Sequence, residues 1–427
     1  MKRVLLILLV LLAGFYMSCS KSSSTGTTSG SAQIPEVIFW SSMTGALGEA
    51  QDKIIDGYNA SQNKVKATAV FQGSYYDMTA KLQAAAAAND TPHMVQLEMA
   101  RVKMFADFGI LYDMTTLARN ASLDVGQFFP GLMSSCDWGE GLVALPFNRS
   151  TPMFYYNKKM FAEVGLDPNV PPKNWTELAD YARKLSIPNR RWGYEQPIDS
   201  WFYEAYIFQS RGSIFNADET DIGFNNETGT MPLALWKAWI AEGIMKTPPG
   251  QEYNSWEAAR ADFSAGIAGM IVTSSGDLQT LRNICDFEIG TCFLPGNLQF
   301  GVPTGGANIS MIVGHDKDNE ATIDFLKYAT SPEPAAVWSM NTGYVPISPA
   351  AANTKIFQDY LAANPNARTV LDQLQYAGYR PNHQHYTQIH TELVMNEIQR
   401  CVERADITPE MCVQEISRQV RALLARR

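Results

Sequence analysis

The chain has 427 residues, 46% of them hydrophobic and 18% charged, with a formal net charge of −9. That length supplies two or three hydrophobic cores, and the acidic balance argues against a general binder of nucleic acid or of anionic lipid surfaces. A small anionic ligand stays open, because one buried arginine can dominate a local site.

Lys2 and Arg3 precede an apolar run from Val4 to Phe15, then Tyr16-Met17-Ser18-Cys19 and a Ser/Gly/Thr tract ending at Ser31. A positive start followed by a short apolar segment engages the export machinery. About a dozen apolar residues are too few to span a hydrocarbon layer of roughly 30 Å. Ser18-Cys19 with a structureless tract behind it is a lipoprotein pattern. It predicts a signal peptide over 1–18, acylation of Cys19 (palmitate or a similar chain) and a flexible tether over 19–33. The body would then sit at an extracytoplasmic, periplasmic-type membrane face. An ordinary leader cut nearby is the plain alternative. Losing Lys2 and Arg3 takes the charge from −9 to about −11.

Val37–Trp40 reads as a first strand, ending at Ser41-Ser42-Met43-Thr44-Gly45, and Leu47–Tyr58 as a helix. Val65–Phe71 predicts a second strand running to Gly73-Ser74-Tyr75. Met78–Ala88 predicts a helix, and Met94–Leu97 a third strand running into Glu98. Strands alternating with helices of this length predict a parallel sheet with helical cover, and ligands sit beyond the carboxyl ends of such strands. Trp40, Tyr75 and Glu98 fall at that edge. A second section begins at Tyr155-Tyr156-Asn157, with Asn174 as a helix cap and mostly helical sequence from Trp192 to Trp256. Ala268–Thr273 reads as a strand ending at Ser274-Ser275-Gly276-Asp277, and Ile309–Val313 re-enters a sheet. The expected fold class is α/β, with two lobes of the periplasmic-binding-protein (venus-flytrap) kind. Lobe 1 is expected over 34–148 and 307–345, lobe 2 over 149–306 and 346–427, with the ligand cleft between them.

Export permits disulfides, and local spacing favours Cys285–Cys292 and Cys401–Cys412, leaving Cys136 unpaired. His383, His385 and His390 have no acidic or thiol partner in a recognised metal-binding pattern, so neither metal nor cofactor is expected. Gly305-Gly306 lacks the spacing of a nucleotide-binding loop.

Phe39-Trp40-Ser41-Ser42-Met43, Gly73-Ser74-Tyr75, Leu145–Pro152, Tyr155-Tyr156-Asn157, Ser274-Ser275-Gly276, Gly305-Gly306-Ala307 and Thr342–Ile347 occur in an informative order. On these segments the chain, from about Ile34 to its end, resembles the extracytoplasmic solute-binding proteins of ABC importers. Within them it is similar to the binders of glycerol 3-phosphate and glycerophosphodiesters. The resemblance implies closure of two lobes around one solute, such as glycerophosphocholine, and delivery to a membrane permease. It implies ligand contacts from Tyr75, Glu98, Ser150, Trp201, Ser275, Gly306 and Tyr344, with Arg380 holding the phosphate. Two departures bear on the ligand. Ile198 stands where the family has a second tryptophan near Trp201, and Asp277 stands where a serine is familiar.

The residue types suit that task. A guanidinium offers a planar donor fork to phosphate oxygens and stays charged on burial. Glu98 can accept from glycerol hydroxyls, Tyr75 can donate to phosphate, and Trp201 can cover carbons or face a quaternary ammonium. Each also has a plain structural role open to it: Glu98 as a cap or lobe bridge, Trp201 as core, Tyr344 as a hinge brace, Ser150 as a cap. A sugar or oligosaccharide binder on the same fold is the nearer alternative reading. A glycerophosphodiester-processing enzyme is the more distant one, since no nucleophile–base pair or metal cluster accompanies Glu98.

Overall fold

The computed structural model describes residues 34–425, apart from 140, 250, 251, 379 and 382. The expected signal peptide, Cys19 and all of the expected tether lie outside the described residues. Two five-stranded sheets organise the rest. The first contains β1 (Glu36–Ser41), β2 (Lys66–Phe71), β3 (Met94–Glu98), β4 (Leu145–Ser150) and β10 (Gly305–Met311), in the order β2-β1-β3-β10-β4. The second contains β5 (Pro152–Asn157), β6 (Trp192–Glu195), β7 (Met245–Lys246), β8 (Ala268–Ser274) and β9 (Ile289–Cys292), in the order β9-β5-β8-β6-β7. In the first sheet β1 pairs in parallel with β2 and β3, whereas β10 runs antiparallel between β3 and β4. The fold is therefore two α/β halves, and the chain passes from one sheet to the other at Thr151 and back at Gly305.

The predicted first three strands and their helices form where the pattern placed them. Helix α1 runs Gly45–Ser61 and α2 runs Tyr75–Ala88. Ser74 starts α2 with a reciprocal capping box: its hydroxyl accepts from Asp77 N, and Asp77 accepts from Ser74 N. Helix α3 (Trp175–Leu185) begins as expected at Asn174, whose side chain accepts from Glu177 N at 2.9 Å. Asn174→Ala should cost about 1 kcal/mol, measurable as a lower urea midpoint with an unchanged slope.

Strand β5 shows why a fully buried strand carries no polar alternation. Met153 and Tyr155 face one core with Ile271, Leu278 and Phe357, while Phe154 and Tyr156 face another with Phe161, Tyr194 and Phe202. A separate core under the first sheet gathers Phe39, Tyr58, Phe147, Phe325 and Trp338.

The same two-sidedness corrects the first predicted disulfide. Cys285 packs toward the core holding Tyr155, and Cys292, on β9, packs toward the core holding Tyr156. Cys285 and Cys292 thus lie on opposite faces despite their short separation in sequence. Cys401, on helix Met395–Glu403, and Cys412, on helix Pro409–Leu424, are buried neighbours, but they too are free thiols here, as are Cys136, Cys285 and Cys292. Carbonyls take up their sulfurs: Cys412 Sγ reaches Glu397 O at 3.3 Å and Cys401 Sγ reaches Ile407 O at 3.9 Å.

Glu195 closes β6 with both carboxylate oxygens buried and lacking a hydrogen-bond partner of good geometry, and Lys246 Nζ lies 3.4 Å away. Burial pushes its carboxyl up to about 7, against the pull of Lys246. The folded state therefore binds this proton more tightly than the unfolded state. Its contribution weakens the fold as pH rises from about 4.5 to about 7. Glu195→Gln should remove that slope, so urea unfolding at pH 5 and pH 8 should differ less in the variant than in the parent.

Candidate ligand-binding site

The carboxyl ends of β1 and β3 meet the start of α2 and the edge strand β4, and a row of polar side chains joins them. Ser42 N donates to Gln96 Oε1 at 2.9 Å, Gln96 Nε2 to Asn148 Oδ1 at 2.8 Å, and Asn148 Nδ2 to the Tyr75 hydroxyl at 2.6 Å. Tyr75 opens α2 behind Gly73, whose φ of +95° turns the chain sharply enough to aim the ring inward. Burial pushes the Tyr75 phenol well above its ordinary range, and pushes Tyr344 up to about 12. Both are neutral hydroxyl donors at physiological pH.

Tyr344 follows helix Pro332–Thr342 and stacks on Trp338, with centroids 5.7 Å apart and planes 7° apart. It also meets the turn after β8. A methyl group on Gly276 would sit 2.6 Å from the Tyr344 ring, and one on Gly343 would sit 2.3 Å from Ser275 O. Ser275 is tied to the crossover, its N donating to Thr151 O at 2.9 Å. Asp277 does not project an uncompensated charge: Arg260 Nη1 lies 3.1 Å from its Oδ2, and Thr273 donates to the same oxygen at 2.5 Å.

Helix α4 (Ser200–Gln209) starts at Asp199, which accepts from Trp201 N at 2.8 Å. Trp201 Nε1 donates to Thr304 O at 3.3 Å, and the ring lies close against Gly305. Ile198, which stands in place of the family's second tryptophan, is a core residue. A second indole still reaches Trp201, because Trp256 from helix Glu252–Ser264 stacks on it at 5.6 Å and 14°. Phe202 continues the stack at 4.9 Å from Trp256.

Arg380 is 6% exposed, at the centre of the densest polar cluster of the site. Its Nε donates to Glu204 Oε2 at 3.0 Å and to Tyr386 OH at 2.9 Å, and its Nη1 to Thr304 O at 3.0 Å. Nη2 lies 3.3 Å from His390 Nε2. His390 Nδ1 is 2.9 Å from Glu204 Oε1, which also accepts from the Tyr386 hydroxyl. Burial raises the Glu204 carboxyl, but Arg380, His390 and Tyr386 outweigh it and hold the group below the usual carboxylate range. Conversely, burial would lower the Arg380 guanidinium, and Glu204 with Tyr386 and Glu98 more than reverses that. The two are a buried ion pair, both charged at neutral pH.

Glu98 does what a capping, bridging carboxylate does. Its Oε2 accepts from Ala100 N at 3.1 Å, and Oε1 lies 3.9 Å from Arg380 Nη1. Ser150 and Gly306 lie on adjacent strands, where Gly305 pairs with Ser150 and Gly306 with Arg149. Tyr75, Ser150, Trp201, Ser275, Tyr344 and Arg380 are all buried. Contacts link Tyr344 to the Ser275–Gly276 turn, and Trp201 to Arg380 through Thr304 O. Sequence reasoning missed Glu204, Tyr386, His390, Asn148 and Trp256. Glu204 lies one helical turn from Trp201, and Tyr386 and His390 are four residues apart, so each pair shares a helix face. Nothing local connects those faces to Arg380.

A groove of about 650 Å³ lies beside this cluster, lined by Phe208, Phe215, Phe300, Gln375, Tyr376 and Pro381 among others. None of the eight expected contact residues lines it. Among the described residues no group of three His, Cys, Asp or Glu side chains is placed to hold a metal ion.

Comparisons with known proteins agree with this architecture. Residues 53–366 match the family described as bacterial extracellular solute-binding protein. The sn-glycerol-3-phosphate-binding periplasmic protein UgpB of Escherichia coli K12 is 30% identical over 365 residues, covering 81% of this chain and 82% of that protein. The protein of the same name from Yersinia pseudotuberculosis is 31% identical over 360 residues, 80% of each chain. Among solved structures, UgpB from Mycobacterium tuberculosis in complex with glycerophosphocholine superposes with a TM-score of 0.83 at 22% identity, covering 92% of this chain and 98% of that one. The cyclic alpha-maltosyl-1,6-maltose binding protein from Arthrobacter globiformis gives 0.76 at 24% identity, covering 91% and 99%. At those identities the two structures establish the fold. By family match and by sequence relatives, the chain belongs to the bacterial extracellular solute-binding proteins.

Proposed function

We propose that this chain is the solute-binding component of an ABC importer. Its ligands are glycerophosphodiesters such as glycerophosphocholine, with glycerol 3-phosphate as a second ligand. The carrying observation is Arg380, a buried guanidinium whose described partners take three of its five donors: Nε–H, one on Nη1 and one on Nη2. Two remain for phosphate oxygens, at roughly 1.5–3 kcal/mol net for each charge-assisted bond. Tyr75 and Tyr344 supply neutral hydroxyl donors, Glu98 accepts from glycerol hydroxyls, and Trp201 covers the carbons. Ser150, Ser275 and Gly306 complete the wall with hydroxyl and backbone groups. Desolvating phosphate is tolerable only when its bonds are remade inside. The named relatives support the ligand class.

The remaining parts of the reading follow from it. The protein binds and delivers without turnover, and a permease obtains the solute by favouring the open state. Acylation at Cys19 holds the body at the membrane surface. A sugar ligand is the second reading, favoured by the stack of Trp201, Trp256 and Phe202.

Calorimetry on the whole chain in mild detergent tests this, with glycerophosphocholine, glycerol 3-phosphate and maltose in parallel. One-to-one binding of the diester, with the ligand recovered intact after prolonged incubation, is the expected result. Heat with maltose alone would install the sugar reading, and a hydrolysed diester would make the protein an enzyme.

A further inference from the structure

Arg149, on β4, is fully buried, and among the described residues it has no carboxylate within ion-pair distance. Its hydrogen-bond partners are neutral, and the Glu98 carboxylate acts on it only from beyond ion-pair distance. Nη1 reaches Asn308 Oδ1 at 2.9 Å, Ser135 Oγ at 3.2 Å and Leu132 O at 3.4 Å. Nη2 reaches Met99 Sδ at 3.1 Å and Thr304 Oγ1 at 3.4 Å, and Nε has no hydrogen-bond partner. Burying a cation without a counter-charge is among the most expensive things a fold can do. The other arginines around the site are matched: Arg380 by Glu204, Arg260 by Asp277, and Arg101 lies 3.9 Å from Glu98.

Thr304 stands between the two buried guanidinia. Its hydroxyl faces Arg149, and its carbonyl accepts from Arg380 Nη1 at 3.0 Å. One residue therefore separates them, close enough that the Arg380 charge opposes that of Arg149. Both lie in a water-poor interior, where salt screens charges weakly. Burial draws the Arg149 guanidinium down to about 10, so it remains a cation at pH 7 to 8.

We propose that Arg149 is a specificity-determining residue that never touches the ligand. It is the unmatched positive charge behind the phosphate anchor, and it makes the site prefer anions over neutral solutes. Arg380 arrives already paired with Glu204, so its own field is largely spent, and it contributes geometry and donors. Arg149 contributes the net charge. The inference rests on a phosphate ligand at Arg380 and adds the source of its charge selectivity.

An effect that acts through charge scales with ligand charge, whereas damage to packing does not. At pH 8 glycerophosphocholine carries one negative charge on phosphate, opposed in part by its more distant quaternary ammonium, and glycerol 3-phosphate carries two negative charges and no cation, since its second ionisation lies near pH 6. Two variants probe the point. Arg149→Gln removes the cation. Ser135→Asp leaves it in place and sets a carboxylate against Nη1, so it survives as a test even if Arg149→Gln does not fold. Calorimetry on the whole chain should show affinity falling about tenfold for the diester and about a hundredfold for the monoester. Arg149→Lys should restore most of both. Equal fractional losses for the two ligands, or no loss in Ser135→Asp, would overturn the role of Arg149 while leaving the phosphate site standing. A parent protein that binds neither compound would take down both.

Discussion

Arg380→Met should reduce glycerophosphocholine binding by at least about a hundredfold, the order expected from losing two charge-assisted bonds. It should also weaken the fold at pH 7 by about 3–5 kcal/mol, because the buried Glu204 carboxylate is left without its partner. The pH dependence separates these effects. In the parent, the Glu204 carboxyl lies below its ordinary value of 4.5, so its stabilisation is present above that pH and is lost as pH falls through the lower folded value. In Arg380→Met the main opposing charge is gone and burial dominates, so the folded value rises. The variant should then be more stable at pH 5 than at pH 7, the reverse of the parent's trend from this group. Adding Glu204→Gln should recover most of the lost stability and none of the binding. Urea titrations at the two pH values, beside calorimetry, give all of these readings. A double variant that regains binding would show that Arg380 only held the fold together.

That pairing marks where sequence reading stopped. The strands at Val37, Val65, Met94 and Ala268 were legible because alternation and turn residues are local signals. The Asn174 cap was legible for the same reason. Arg380 could be singled out as a phosphate ligand by resemblance, but its counter-charge, Glu204, lies 176 residues away on helix α4. Its presence changes the argument, since a paired arginine no longer demands an anion. The tryptophan missing at Ile198 was legible as a loss, whereas its replacement by Trp256 depends on helix packing. Asp277 was legible as a charge, and only the fold brings Arg260 to it. The Cys285–Cys292 pairing failed for a related reason. Spacing suggested Cys285–Cys292, but the second lies on a strand whose successive side chains face different cores. Long-range partners and sidedness are properties of the assembled sheets.

Gly306→Ala should cost about 3 kcal/mol or more, for two reasons that a control can separate. Gly306 has φ of +90°, and a methyl group there would sit 1.8 Å from Asn148 O and 3.1 Å from Arg149 Cα. Those atoms belong to the backbone of the neighbouring strand, so no side-chain movement relieves the clash and β10 must shift away from β4. Gly314 has a similar φ, +95°, but a methyl group there would meet nothing within 4 Å. Gly314→Ala should therefore cost only the conformational strain, about 1 kcal/mol. The difference in urea midpoint between the two variants isolates the close approach of the strands. Binding should follow the same ordering. Asn148 holds Gln96 and Tyr75, and the Arg149 carbonyl accepts from Val345 N at 2.8 Å, next to Tyr344. A shift of β4 thus moves groups on both sides of the site, and Gly306→Ala should lose ligand affinity where Gly314→Ala keeps it. Equal stability losses would mean that the ladder adjusts freely at Gly306. The register of these two strands could then not be what fixes the site.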